Sequence, residues 1–149
     1  MIFDLHVHTT HSACSKLDLA DIIHRAKSQG LDGVAVTDHN SMAVRHEIAE
    51  GVQDNGICLL FGMEYDTPDG DFLLFGPFED LKPGLSACDL LKLVEDRKGV
   101  AVGAHPCREG RSLSRDVLDQ NACRIVEGLN GRNSQEENLK VQELIKRYP

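Results

Sequence analysis

Residues 33–40 read Gly-Val-Ala-Val-Thr-Asp-His-Asn, an apolar run that ends in polar side chains. A short apolar run that begins at a glycine and ends in polar residues is typical of a buried β-strand followed by a loop. Similar runs occupy residues 2–7, 57–63 and 100–104, and amphipathic stretches separate most of them. Strands that alternate with helices predict an α/β fold with a mostly parallel sheet covered by helices, either open or curled into a barrel.

The helices are predicted from the spacing of apolar residues and from capping residues at their ends. The first begins near Asp18 and ends at Gly30, and a second is expected from Ser41 to about Gln53. Residues 68–70, Pro-Asp-Gly, predict a turn, so the strands at 57–63 and 72–75 are expected to form a hairpin-like insertion. The other predicted elements are a helix at 86–97, a short helix after Ser114, a strand at 124–128 and a last helix at 134–147.

The composition is that of one soluble globular domain, since 41% of the 149 residues are hydrophobic and 27% are charged. It excludes a disordered tail, a collagen-like repeat and a membrane protein. We expect a single domain over residues 1–149, short of the roughly 250 residues of a full eight-unit β/α barrel. No cationic leader precedes the first strand, so the expected location is cytoplasmic.

The charge and the cysteines narrow the functional classes. The formal net charge of -8 disfavours binding to duplex nucleic acid, because an acidic surface repels the phosphate backbone. The five cysteines are odd in number and form no CxxC pair, which favours buried, reduced thiols in a cytosolic protein. They are Cys14, Cys58, Cys88, Cys107 and Cys123.

The first strand contains an unusual set of ionisable side chains, Asp4-Leu5-His6-Val7-His8. Side chains alternate along a strand, so Asp4, His6 and His8 share one face. Ionisable groups that face a sheet interior are costly unless a cation compensates them, and two imidazoles at this spacing can converge on one metal ion. On its own, an HxH pattern fits a solvent-facing edge strand equally well.

Three further metal-ligand side chains follow apolar strands, namely His39, Glu64 and His105. The carboxyl ends of parallel strands meet at one rim of an α/β fold, where active sites are built. Each residue alone could be an ordinary loop side chain. Together with His6 and His8 they predict a metal centre.

Five stretches carry a family resemblance: residues 4–9 (Asp-Leu-His-Val-His-Thr), 37–40 (Thr-Asp-His-Asn), 62–64 (Gly-Met-Glu), 105–106 (His-Pro) and 127–133 (Glu-Gly-Leu-Asn-Gly-Arg-Asn). In them the sequence resembles the PHP (polymerase and histidinol phosphatase) family of metal-dependent phosphoesterases. The resemblance implies a distorted (β/α)7-type barrel and a cluster of two or three Zn, Mn or Fe ions. It implies metal ligands at His6, His8, His39, Glu64 and His105, with Glu64 bridging two ions.

The sequence departs from the family pattern in three places. Cys14 occupies a position that is often His or Asp, and it is either a zinc ligand or a buried thiol. Asp71 replaces a histidine and is more simply a turn residue than a weak oxygen ligand. The Asp-x-His motif of the last strand is absent from residues 1–149. The chain is therefore expected to be truncated before that strand, to work with fewer ligands, or to be completed by an oligomer or partner chain.

The resemblance implies hydrolysis of a small phosphomonoester or a nucleotide phosphate by metal-activated water. Asp38, next to His39, is a candidate catalytic residue that orients a ligand or moves a proton. Arg108 is a candidate to act in catalysis and to clamp a phosphate, and Arg132 and Arg111 are candidates to assist it.

Two other functions are compatible with the same residues. The chain could be a catalytically weak binding or regulatory module that keeps metal for structure, or a different metallohydrolase such as an amidohydrolase-type deaminase.

Polar side chains outside the predicted ligand set have simpler structural explanations. We expect Asp4, Asn130 and Asn138 to form structural hydrogen bonds, and we expect His11, His24 and His46 to lie on the surface.

Overall fold

A computed structural model describes residues 1–120 and 122–147. Its residues group into two units. The N-terminal unit consists of Met1–Glu64 and Phe78–Leu81. The C-terminal unit consists of Tyr65–Pro77 and the described residues from Lys82 onward. The boundary falls within one β-strand.

The N-terminal unit is built on parallel strands. Strand β1 (Phe3–Val7) pairs parallel with β2 (Gly33–Val36), and β2 pairs parallel with β4 (Cys58–Thr67). The short strand β3 (Gly51–Val52) pairs antiparallel with β4. All four residues of β2 are buried, as expected for a central strand covered on both faces.

Helix α1 (Leu19–Ser28) connects β1 to β2 and agrees with the sequence prediction. The Asp18 carboxylate caps it by accepting a 2.7 Å hydrogen bond from the Asp21 N–H. Ile22 and Ala26 form its buried face. Gly30, at φ 72°, ends the turn that follows the helix.

The helix predicted from Ser41 to Gln53 is wrong. The chain forms only a short 3-10 helix, Ala43–His46, and then strand β3. Gly51 has a positive φ of 116°, and the Glu50 carboxylate accepts a hydrogen bond from the Phe61 N–H in β4. Hydrogen bonds to the edge of β4 therefore outweigh the helical pattern of this segment.

The C-terminal unit contains the end of β4, strands β5 (Gly70–Phe75) and β6 (Val100–Gly103), and three helices. Strands β5 and β6 pair antiparallel, from Phe72 opposite Gly103 to Phe75 opposite Val100. The helices are α2 (Ala87–Asp96), α3 (Arg115–Asp119) and α4 (Gln135–Arg147). Ser86 caps α2 and Ser114 caps α3, as the sequence predicts.

The predicted hairpin is confirmed, whereas the strand predicted at 124–128 is wrong. Pro68 and Asp69 connect β4 to its neighbour β5, and Thr67 Oγ1 accepts a hydrogen bond from the Asp69 N–H across the turn. The 124–128 segment makes a single β-bridge, Val126 with Gly103. Two backbone hydrogen bonds form this bridge: the Gly103 N–H donates to the Ile125 carbonyl oxygen, and the Glu127 N–H donates to the Gly103 carbonyl oxygen.

The prediction of buried thiols is also corrected. All five cysteines are free, but only Cys123 is buried, and Cys14 and Cys88 are exposed. Cys88 lies in α2 and Cys14 lies in the loop after β1, and both remain accessible to solvent. None of the described helices is both long and apolar enough to cross a lipid bilayer.

Candidate metal centre

The parallel pairing in the N-terminal unit brings four predicted ligands to the ends of adjacent strands. His6 lies in β1, His8 directly follows it, His39 follows β2 and Glu64 lies in β4. His39 and Glu64 form a parallel β-bridge beyond the end of β2. The Glu64 N–H donates to the Asp38 carbonyl oxygen at 3.0 Å, and the Asn40 N–H donates to the Glu64 carbonyl oxygen at 2.8 Å. Backbone hydrogen bonds therefore align these side chains.

One oxygen of Glu64 is the common neighbour of three imidazoles. Its Oε2 atom lies 2.9 Å from His8 Nε2, 3.2 Å from His6 Nε2 and 3.3 Å from His39 Nδ1. The two Nε2 atoms of His6 and His8 are themselves 3.1 Å apart. The Glu64 side chain is only 2% exposed. Ligand atoms from three strands thus converge on a small volume, with the His39 side chain, at 31% exposure, on its solvent side.

This arrangement fits a divalent metal ion. Zinc binds imidazole nitrogen and carboxylate oxygen at about 2.0–2.2 Å, so two such ligands on a tetrahedral ion are about 3.4 Å apart. The three separations among His6 Nε2, His8 Nε2 and Glu64 Oε2 are close to that value. A single cation among them would accept one lone pair from each of the three atoms, whereas hydrogen bonds pair them less well because a neutral imidazole has only one N–H.

Asp38 holds the loop that follows β1. Its buried carboxylate accepts hydrogen bonds from Thr9 N–H (2.7 Å), Thr9 Oγ1 (2.6 Å) and Ser12 Oγ (2.5 Å). Ser12 Oγ also accepts from the His39 N–H at 3.0 Å. These contacts indicate a positioning role, and a role in proton transfer stays a prediction. Sequence reasoning missed Thr9 and Ser12, although a buried carboxylate in a loop requires such donors.

Cys14 lies on the other side of the His8 ring. His8 Nδ1 and Cys14 Sγ are 3.1 Å apart, and the His8 and His39 rings meet edge to face with centroids 4.6 Å apart. One ligand atom from each of His8, Cys14 and His39 lies within 4.8 Å of the other two. Cys14 is therefore exposed but close to the imidazoles, and is not a buried core thiol.

His105 belongs to the C-terminal unit and is almost fully buried, at 1% exposure. It follows β6 with a positive φ of 29°, and its N–H donates to Glu127 Oε2 at 2.7 Å. Its Nε2 atom lies 3.6 Å from Asp71 Oδ2. Its role as a metal ligand stays a prediction.

Asp71 is a buried strand residue and not the turn residue that its position after Gly70 suggests. Both of its oxygens lie 2.7 Å from the Arg111 guanidinium, and Asp66 makes a further contact with Arg111 at 2.8 Å. The hydrogen bond to Asp71 is the largest cause that raises the pKa of Arg111 above its usual value. The charge of Arg111 is thus largely committed to these carboxylates.

Asparagine side chains orient the half-buried Arg108. Arg108 Nε donates to Asn133 Oδ1 at 2.9 Å, and Arg108 Nη2 donates to Asn130 Oδ1 at 2.8 Å. Glu127 Oε1 accepts from Asn130 Nδ2 at 2.9 Å, so the same carboxylate group holds the His105 backbone and this network. Sequence reasoning assigned no role to Glu127.

The side chain of Arg132, the other arginine predicted to assist phosphate binding in this segment, is exposed, and its role stays a prediction.

The remaining polar residues have structural contacts. Asp4 Oδ1 accepts from the His6 backbone N–H at 3.1 Å, and Asn138 exchanges hydrogen bonds with the backbone of Asn130. His11 contacts Glu47 Oε1 at 2.7 Å near the surface. His24 and His46 are exposed.

Comparison with other sequences identifies one family and two relatives. A model of the PHP domain matches residues 4–127. An uncharacterized protein from Methanocaldococcus jannaschii is 28% identical over 113 residues, which cover 69% of this chain and 66% of that protein. A 5'-3' exoribonuclease from Haemophilus influenzae is 29% identical over 105 residues, which cover 68% of this chain and 38% of that enzyme. The chain therefore spans less than two thirds of the length of these relatives.

Two solved structures, each 18% identical to the chain, share its fold. One is a proposed metal-dependent phosphoesterase from Bifidobacterium adolescentis, with a TM-score of 0.74 over 98% of this chain and 83% of that one. The other is an amidohydrolase from Chromobacterium violaceum with bound sulfate and no metal, with a TM-score of 0.70 over 99% of this chain and 84% of that one. The match confirms the predicted α/β fold of the PHP barrel type.

Proposed function

The chain belongs to the PHP domain family, and on this basis we propose that it is a metal-dependent phosphoesterase. The proposed reaction is hydrolysis of a small phosphomonoester or a nucleotide phosphate by water that bound divalent metal activates. The proposed metals are zinc, manganese or iron.

The observation that carries this proposal is the convergence of three imidazoles on Glu64 Oε2, at 2.9, 3.2 and 3.3 Å. Such a group binds divalent transition metals, since imidazole and carboxylate are their ordinary protein ligands. When bound, divalent ions neutralise phosphate oxygens and lower the pKa of water towards neutrality.

The side chains of the N-terminal unit have distinct roles in this proposal. His6 and His8 would hold the metal through Nε2, and Glu64 would supply the negative charge between them. Asp38 fixes the loop after β1 through Thr9 and Ser12, which keeps the His8 ring oriented. This preorganisation limits the rearrangement that the reaction requires.

The proposed substrate class is supported by the arginine side chains that can bind phosphate and by the charge of the chain. Arg108, with its guanidinium plane fixed by Asn130 and Asn133, is proposed to bind a phosphate oxygen as a fork. The net charge of -8 favours a small anion that metal can neutralise over an extended duplex. A relative named as a 5'-3' exoribonuclease makes the phosphorylated end of a nucleotide chain a second candidate of the same class.

The test is metal analysis of the purified protein followed by hydrolysis assays on an aryl phosphate, a nucleoside monophosphate and a short 5'-phosphorylated oligonucleotide. We expect bound transition metal and turnover that falls at least about a hundredfold in His6→Ala. His24→Ala, which changes an exposed histidine on α1, is the matched control and should keep full activity.

Two results would overturn the proposal. One is equal turnover by chelated protein and metal-loaded protein. The other is bound metal without hydrolysis of any phosphate ester, combined with a melting temperature that falls on chelation, which would indicate a structural metal module. An aryl amide serves as the substrate control, and its exclusive hydrolysis would indicate amidohydrolase chemistry.

A further inference from the structure

Two arginines in the loop between β6 and α3 have different kinds of hydrogen-bond acceptor. Arg111 donates to the carboxylates of Asp71 and Asp66, so ion pairs neutralise its positive charge. Arg108 donates to two asparagine amide oxygens, which carry no net charge. An arginine that is oriented by neutral acceptors keeps its charge for an anionic ligand.

The two asparagines hold one edge of the Arg108 guanidinium. Asn133 Oδ1 accepts from Nε at 2.9 Å, and Asn130 Oδ1 accepts from Nη2 at 2.8 Å. Asn130 is buried, and its Nδ2 donates to Glu127 Oε1 at 2.9 Å, which fixes the orientation of its amide. Within residues 1–120 and 122–147 these are the hydrogen bonds of the guanidinium, so further N–H groups at Nη1 and Nη2 remain for the oxygens of an anion.

Asn138, near the start of α4, contacts both of these asparagines. Its Oδ1 atom accepts from the Asn130 N–H at 3.1 Å and from Asn133 Nδ2 at 3.3 Å. Its Nδ2 atom donates to the Asn130 carbonyl oxygen at 3.2 Å. One side chain of α4 therefore holds the two groups that orient Arg108.

The start of α4 is itself tied to the loop that carries Arg108. Ser134 Oγ accepts from the Glu137 N–H at 3.2 Å, and Glu137 Oε2 accepts from the Ser134 N–H at 2.7 Å, which is a capping box. Glu137 Oε1 accepts from the Glu109 N–H at 2.8 Å. Hydrogen bonds from the Glu109 and Ser134 backbone, together with the charge of Arg108, lower the pKa of Glu137. The Glu137 carboxylate thus binds backbone donors of both the helix and the loop.

We propose that Asn138 is a positioning residue for anion binding, because through Asn130 and Asn133 it orients the Arg108 guanidinium without neutralising it. The ligand is a phosphate group, whose oxygens accept from the planar fork of an arginine. This inference rests on the proposed function, since it assigns the residue that positions the phosphate-binding arginine. A carboxylate in place of the amides would hold the side chain but also pair with its charge, as happens at Arg111.

The experiment measures the binding of inorganic phosphate to the full metal-loaded chain by isothermal titration calorimetry. We expect Asn138→Ala to weaken binding about tenfold, Arg108→Met to weaken it at least as much, and the double variant to bind as Arg108→Met does. The losses are not additive because Asn138 acts through Arg108. Gln142→Ala is the matched control with wild-type affinity, since it removes a hydrogen bond from α4 to the Gly128 carbonyl oxygen, outside this network.

A second variant, Asn133→Asp, tests the requirement for a neutral acceptor. It keeps an oxygen for Arg108 Nε but adds a negative charge beside the guanidinium. Phosphate affinity should fall about tenfold, whereas the melting temperature should stay within about 2 °C of wild type. A purely structural role would not separate these two measurements, and this variant decides the question even if Asn138→Ala fails to fold.

Wild-type phosphate affinity in Asn138→Ala or in Asn133→Asp, or additive losses in the double variant, would overturn the inference. Wild-type affinity in Arg108→Met would remove Arg108 from the proposed function and this inference with it. The measurements require no turnover. Coupled losses of phosphate affinity without hydrolysis of any phosphate ester would therefore count against the proposed function and support the positioning role.

Discussion

The Oε2 atom of Glu64 lies 2.9 Å from the Nε2 atom of His8, and both side chains are largely buried. Strand β4 supplies the carboxylate, and the residue that directly follows β1 supplies the imidazole. A buried carboxylate requires a compensating positive charge, and the metal ion of the proposed function, shared with His6, would supply it. The relationship predicts that stability and metal binding are coupled at this pair.

Glu64→Gln should weaken metal binding about a hundredfold or more, because it removes the only negative charge among the convergent ligand atoms of His6, His8 and Glu64. The melting temperature of the wild-type protein should fall on addition of a chelator, whereas that of Glu64→Gln should change little. Glu47→Gln, at an exposed carboxylate beside His11, is the control and should respond to chelator as the wild type does.

Asp38→Ala should destabilise the protein by about 3 kcal/mol. The substitution leaves the Thr9 N–H and the Thr9 and Ser12 hydroxyls without their buried acceptor. Urea denaturation measures the change, and Asp38→Asn should lose less because one acceptor oxygen remains. Asp54→Ala, at an exposed turn, should stay within about 0.5 kcal/mol of wild type. Equal stability of Asp38→Ala and Asp54→Ala would contradict the positioning role.

Gly33→Ala should destabilise the N-terminal unit by about 3 kcal/mol. A Cβ atom at this position would overlap the Phe3 ring and the Cys58 carbonyl oxygen, and the carbonyl belongs to the paired strand β4 and cannot move freely. Gly131→Ala is the matched control, since nothing lies within 4 Å of its added Cβ. Thermal denaturation that leaves the two variants equally stable would disprove the close approach of β1 and β2 at Gly33.

Arg111→Ala should cost about 2 kcal/mol of stability. Asp71 is 2% exposed and loses its bidentate partner, while the 47% exposure of Arg111 limits the loss through solvent screening. Adding Asp71→Asn to the variant should restore part of the stability, because no uncompensated carboxylate then remains. A double-mutant cycle from chemical denaturation measures the coupling, and additive effects would refute the ion pair.

Cys123 should react with a thiol reagent much more slowly than Cys88. Burial raises the pKa of the Cys123 thiol above its usual value, whereas Cys88 is exposed. The folded chain therefore binds this proton more tightly than the unfolded chain. Its contribution to stability is complete below the ordinary thiol pKa and is lost as the pH rises through the raised value. Mass spectrometry of alkylated peptides measures the relative reactivity, and urea denaturation over a pH series measures the stability. Equal labelling rates of the two thiols would contradict the burial of Cys123.

The sequence was most informative where local chemistry and tertiary context agree. The Asp18, Ser86 and Ser114 caps predicted three helix starts, and the Pro-Asp-Gly turn predicted the hairpin. It failed at residues 41–53 and 124–128, where pairing with β4 and a single bridge to Gly103 decided the backbone conformation. Such pairings depend on residues distant in sequence, which periodicity in one segment cannot report.

By itself, the sequence determined the alternation of strands and helices, the α/β class and the residue types that can bind metal, because side-chain period and ligand chemistry are local properties. The tertiary structure alone decided that Glu64 Oε2 faces three imidazoles, that Cys14 lies beside His8, and that Arg111 neutralises Asp71. The reason is physical: a distance between side chains depends on strand register and loop hydrogen bonds, and those are set only when the whole set of backbone pairings forms together.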